Sequence, residues 1–474
     1  MTPGVKHTIR RTLLTLGVGM MLQRVCQLAA FLLIGRSLGV AGLGIYAQGL
    51  AVAAVLGSLA GAGIRNLTAR SLAAQPGSAR GLLLAAVRAR LQLGLLLLLP
   101  VIGIAMEASA RPWFWVWCAL QVVPNAFDLK NLIDSAGRTG REVALESATA
   151  LVQLLAVVAW NVLWPQQIEV LAAIALGCRC LYAIGSVAAI RSLPRDSHIG
   201  TSPPRQLVLS GAQTAHELLT IGDVWLVALA LGDAAAGYYA IGVRFAAAAL
   251  LPSAQLARLL LPHLMRAGLE GDPRTTLATA LRSTLLATLP MLAGGAAAAG
   301  PLCALSGEAF LAAAPALRLL LLAGCLQHLG WQCANTMLSI HRDRAFTVLL
   351  GLPAALQVAM VMLLRTVPME AATAATAAAG AAALAHTAFA CSGLAITRPL
   401  WIHRRQLLRH PTCIAASTGM AAAVPLLVGI GPLTLLLQLL AGAAMFVTGL
   451  WWLELRGRWR RLGDGLATAS GFGG

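Results

Sequence analysis

Ionisable and amide side chains are scarce in this chain, and those that interrupt its apolar stretches cluster. Near the N-terminus Gln23, Arg24 and Gln27 share one helical face in the middle of an apolar run. A later run carries Ser210, Gln213, His216, Glu217, Thr220 and Asp223, mostly at steps of three or four residues. Arg179 and Arg244 stand inside two further runs. Arginine's planar fork donates two parallel hydrogen bonds and stays charged when desolvated, so these residues suit a phosphate or another anion. His216 beside Glu217 offers a group that changes charge near neutral pH, which makes proton coupling a hypothesis. Structural alternatives stay open. Arg24 could be half of a buried pair, with Glu217 as its partner, and Asp223 could pair with Arg244 across adjacent helices instead of meeting substrate or proton.

The elements that must position these groups are membrane spans. The chain has 474 residues, 58% of them hydrophobic and 11% charged, with mean hydropathy +0.78. A soluble domain carries roughly 25% charged residues. Runs of about 20 apolar residues, the length that crosses a bilayer, fall at 12–35, 40–63, 84–106, 112–134, 147–164, 169–190, 207–231, 236–262, 277–299, 313–340, 346–366, 371–395, 411–430 and 432–453. The fold class is therefore all-α and polytopic, with about fourteen transmembrane helices. The first run is too long for a signal peptide and reads as a retained helix. Outside the spans or in their opening turns, only Arg36 and Arg111 lie on one side of the alternation. Every other basic residue there, from Lys6 to Arg461, lies on the opposite side. Such a bias places both termini in the cytoplasm.

Leu38–Gly49 and Leu231–Gly242 share the pattern LG-x4-G-x-YA-x-G at an offset of 193 residues. Each copy joins the first two spans of a six-span set, so the sequence divides into a lobe at 1–192, a second lobe at 207–396, a helix pair at 411–453 and a cytoplasmic tail at 454–474. The repeat is parallel, and transporters built from such repeats bind substrate between the two lobes. The offset superimposes Gln23 on His216, Arg24 on Glu217 and Gln27 on Thr220. Polar groups thus stand at equal depth in both lobes, with a cation in one and an anion in the other. An ionisable group at the bilayer centre costs at least ~2.5–3.5 kcal/mol, so these faces are expected to line a central cavity.

The same residues weigh against other classes. The net charge of +18 is spread over short clusters between spans and forms no patch for nucleic acid. The nine cysteines include no CxxC pair and read as small apolar core residues, so no metal or other cofactor is expected. A polymerase or ligase needs catalytic groups in a sizeable outer loop, whereas the longest outer segment, near 300–312, offers Glu308 without a basic partner. A multidrug exporter of cations would call for acids in the first lobe, where the central candidates are Arg24 and Arg179.

Several stretches resemble Wzx-type polysaccharide flippases. They are Gly35-Arg36-Ser37-Leu38-Gly39, Gly42-Leu43-Gly44-Ile45-Tyr46, the run from Gly61 to Arg70, Gly237-Tyr238-Tyr239-Ala240, and Leu305 to Phe310 with the helix leading to His341-Arg342-Asp343-Arg344. The resemblance covers most of residues 5–400. It implies the multidrug/oligosaccharidyl-lipid/polysaccharide (MOP) exporter superfamily, two six-helix lobes in a V, and a cargo of undecaprenyl-diphosphate-linked sugar. Partners would be the lipid-linked oligosaccharide, membrane lipid and other polysaccharide-assembly proteins, in a bacterial inner membrane. Arg24, Arg179 and Arg244 match the cationic cavity residues thought to meet the diphosphate or an anionic sugar. Spans 13 and 14 are extra to many members. The lipid II flippase branch also has fourteen, but with a richer basic cavity than this sequence offers.

Overall fold

The computed structural model describes residues 3–61, 79–108, 110–128, 139–191, 220, 222–269 and 273–400. Among them every regular element is helical. Helices α1 (Pro3–Gly61), α2 (Ala79–Ala108), α3 (Pro112–Leu120), α4 (Val122–Asn125), α5 (Thr139–Leu163) and α6 (Ile168–Arg191) form a first set. The second set comprises α7 (Asp223–Leu231), α8 (Asp233–Ala249), α9 (Leu251–Leu269), α10 (Arg274–Ala297), α11 (Ala299–Ala304), a 3-10 turn (Glu308–Ala313), α12 (Ala314–Ser339), α13 (Asp343–Leu364) and α14 (Ala371–Thr397).

Eight helical stretches among the described residues are long and apolar enough to cross a membrane, and a bent pair makes up to nine. Their outward faces carry Leu96, Leu99, Val162, Ile184 and Leu363, each at least 66% exposed. Water would not tolerate so much uncovered apolar surface, whereas acyl chains solvate it. The chain is a multi-pass membrane protein. Of the spans read from sequence, 411–430, 432–453 and the part of 207–231 before Thr220 lie outside the described residues.

The first two spans, read as 12–35 and 40–63, are two helices that meet at the non-helical Gly39 (φ 69°, ψ −173°) within α1. Two boundaries differ from the sequence reading. The fourth span, read as 112–134, is interrupted at Gln121 and again after Asn125, and its last part, 129–134, lies outside the described residues. Pro124 has no N–H to donate to Leu120, so the ladder cannot pass it intact. The eighth span, read as 236–262, turns by 58° between α8 and α9. Pro252 stands in the first turn of α9, a favoured place for proline because the N–H it lacks would have no helical partner there.

The repeat in the sequence is also a repeat in the backbone. Gly232 (φ 89°, ψ 170°) bends the α7–α8 junction as Gly39 bends α1, in a region of φ/ψ space open essentially to glycine alone. The two bends bring the sets together at a reciprocal crossing. A Cβ at Gly44 would fall on the Asp233 carbonyl oxygen, and a Cβ at Gly237 on the Val40 carbonyl oxygen. These positions exchange under the same offset, so the contact has a local pseudo-two-fold. Tyr46 and Tyr239, also equivalent, are buried beside it. Elsewhere small residues let helices approach. Ala374, Ala375, Ala378, Ala379 and Ala382 of α14 are buried along its seam with α12, the close packing expected where no water drives helices together.

Candidate functional site

Beyond the glycine crossing, away from the Gly39 and Gly232 bends, the helices part around a cavity of about 460 Å³. Four of its walls are stripes at helical spacing. Helix α1 supplies Gln23, Arg24, Gln27 and Phe31; α5 supplies Glu146, Thr149 and Gln153. Helix α6 adds Cys178, Arg179 and Tyr182, and α8 adds Val243, Arg244 and Ala247. On the other side of α1, Met21 and Val25 are more than 60% exposed, as suits a lipid-facing stripe. One turn therefore separates bilayer from cavity.

Arg24, Arg179, Arg244, Gln23, Gln27 and Thr220, all singled out from sequence, line this one chamber. Arg24 Nη1 donates to Gln27 Oε1 at 3.3 Å, and its Nε is buried with no hydrogen-bond partner among the described residues. The Arg244 guanidinium lies 4.9 Å from the centre of the Phe31 ring, on the opposite set, a cation–π contact. All three guanidinium groups line this one cavity. Like charges gathered in a medium of low dielectric repel strongly, and an anionic guest relieves that repulsion.

Gln213, His216 and Glu217 lie outside the described residues. The structure departs from the expected Asp223–Arg244 pair. Asp223 is buried and accepts from the Tyr239 hydroxyl at 2.8 Å and from the Val224 N–H at 2.8 Å. It opens α7, where the unpaired N–H groups of a helix start favour an anion. Local bonding on its own side outcompetes a reach to Arg244.

The chamber also holds groups that the sequence reading passed over, chiefly Glu146, Gln153 and Tyr182. Glu146 stood one residue outside the expected span 147–164, but α5 begins at Thr139 and carries it inward. The signal was present in the spacing of Glu146, Thr149 and Gln153.

A second cavity, of about 470 Å³, adjoins the first and shares Arg24, Thr220, Val243 and Ala247 with it. It runs between α8, α9, α12 and α14 and reaches Asp223. At the opposite end the sets are held together: Arg36 Nε donates to the Leu305 carbonyl at 2.8 Å.

No protein-family model and no curated relative matches the chain. Solved structures do. The lipid II flippase MurJ, in an inward closed conformation, superposes with TM-score 0.68 at 12% identity, covering 93% of this chain and 99% of that one. The Vibrio cholerae MATE transporter VcmN gives 0.60 at 17% identity, covering 84% and 99%. A MOP superfamily transporter from Pyrococcus furiosus, described as having a binding pocket of reversed polarity, gives 0.56 at 15% identity, covering 81% and 93%. At such identities the likeness establishes the fold: the chain has the architecture of MOP superfamily transporters.

Proposed function

We propose that the chain is a flippase that moves a lipid-linked oligosaccharide, carried on undecaprenyl diphosphate, from the cytoplasmic to the outer leaflet of a bacterial inner membrane. The observation that carries this reading is the convergence of Arg24, Arg179 and Arg244 on one chamber between the two helical sets. A diphosphate accepts several charge-assisted hydrogen bonds and neutralises the cluster. The two halves, 1–192 and 207–396, would rock about the glycine crossing to expose the chamber to each side in turn, with both termini in the cytoplasm and the pair 411–453 at the periphery. This is transport, with no covalent chemistry asked of the protein. Lying at the outer side of the orientation proposed, the Arg36–Leu305 contact fits an inward-directed state.

One observation favours a second reading, a multidrug exporter. Glu146 and Asp128 line the same chamber and would suit an organic cation. The guanidinium groups outnumber the carboxylates there, which is why the anionic cargo ranks first. The similar structure MurJ is described as a lipid II flippase, which supports a lipid-linked cargo on this fold.

The test is reconstitution of the full chain in vesicles containing a fluorescent undecaprenyl-diphosphate oligosaccharide. Leaflet exchange above protein-free vesicles is expected. Arg24→Ala should reduce it by ~10-fold or more, the worth of one lost charge-assisted pair, while Arg24→Lys retains part. Exchange at the protein-free rate, together with uptake of a cationic dye, would replace the first reading by the second.

A further inference from the structure

The second chamber differs in chemistry from the first. Among the described residues its own wall has no cation; Arg24 stands only at the shared mouth, and Asp223 already accepts a hydrogen bond on each oxygen. What the wall does present is uncharged hydrogen-bonding capacity. Gln327, His328, Trp331 and Asn335 occupy one face of α12 at steps of three and four, and His386 faces them from α14. Asn335 and His386 are 3% and 4% exposed. His386 Nδ1 is buried without a hydrogen-bond partner among the described residues. The rest of the wall is largely leucine and alanine, with Phe346 packed against Trp331 at 6.2 Å between ring centres.

Buried polar groups are almost always hydrogen-bonded, and leaving one bare is costly. Amides and imidazoles each donate and accept, so their natural complement is a group that does both. A diphosphate only accepts and calls for cations. An acyl or isoprenoid tail would leave the buried His386 Nδ1 without a partner. A neutral sugar has hydroxyls that donate and accept, and an apolar face that packs on an indole.

We propose that this chamber is a subsite for the neutral glycan of the cargo, so that the diphosphate and the sugar are held in adjoining compartments joined at Arg24 and Thr220. The assignment rests on the lipid-linked-oligosaccharide reading. It predicts that the protein reads the sugar and does not merely tolerate it.

Equilibrium binding to the full chain in lipid nanodiscs tests this with two probes, undecaprenyl diphosphate bearing a neutral hexose disaccharide and undecaprenyl diphosphate alone. The wild type should bind the glycosylated probe ~10-fold or more tighter, as two or three neutral hydrogen bonds allow. Asn335→Ala combined with His386→Ala should bring the ratio near one while leaving the bare probe's affinity unchanged. Gln327→Ala, at a half-buried position where folding is least at risk, should lower the ratio in part. Equal wild-type affinity for both probes, or an equal loss for both in the variants, overturns the subsite and leaves the flippase reading standing. Failure of the wild type to bind either probe overturns the lipid-diphosphate reading itself.

Discussion

At the scale of single residues, position along a span says less about role than the partners at hand. Asp223 and Arg244 look from sequence like a pair, yet Asp223 spends both oxygens on Tyr239 and Val224, while Arg244 lies over Phe31. Asp223 is therefore a structural acceptor. Asp223→Ala strands the buried Tyr239 hydroxyl and should lower stability by about 1–3 kcal/mol, read as a drop in the unfolding midpoint in detergent. Adding Tyr239→Phe should restore much of the loss, because both halves of the bond are then gone. An unchanged midpoint together with abolished transport would instead make the carboxylate a substrate or ion contact.

At the scale of elements, two glycine pairs set the angle and distance of the central helices. Gly39 and Gly232 hold backbone conformations that other residues avoid. Alanine at either should cost about 1–3 kcal/mol without adding any clash, since nothing lies within 4 Å of the new Cβ. Gly44 and Gly237 have ordinary helical backbones, and their constraint is space: alanine there meets a carbonyl of the opposing helix. We expect Gly44→Ala and Gly237→Ala to destabilise more than the bend variants, and to impair leaflet exchange even where the fold survives. Thermal unfolding combined with the vesicle assay separates the two classes. Equal losses at all four positions would mean that the crossing is no tighter than an ordinary helix contact.

At the scale of the whole molecule, the described residues join the two helical sets at one end and part around a divided cavity beyond it, the arrangement that the proposed flippase would use. The orientation proposed follows from charge alone and is open to a direct check. In a cysteine-free background, a cysteine replacing the exposed Arg111 should react in intact cells with a membrane-impermeant maleimide. A cysteine replacing the exposed Arg342 should react only after the membrane is opened. The reverse pattern would invert the topology and, with it, the direction of flipping.

Composition and hydropathy by themselves determined the class, because a bilayer demands long apolar helices and penalises every charge within them. The glycine–tyrosine repeat was likewise legible, since a bend that only glycine accepts must be written as glycine in both copies. The grouping of Arg24, Gln27 and Arg179 in one chamber was decided by tertiary structure: three-residue and four-residue steps define a face, but not what that face meets. Helix breaks at Gln121 and Leu250 were lost to hydropathy, which averages across a proline. Glu146 and the α12–α14 polar face escaped for a related reason. Their neighbours along the chain are apolar, and only the packing of separate helices brings their hydrogen-bonding groups around a common space.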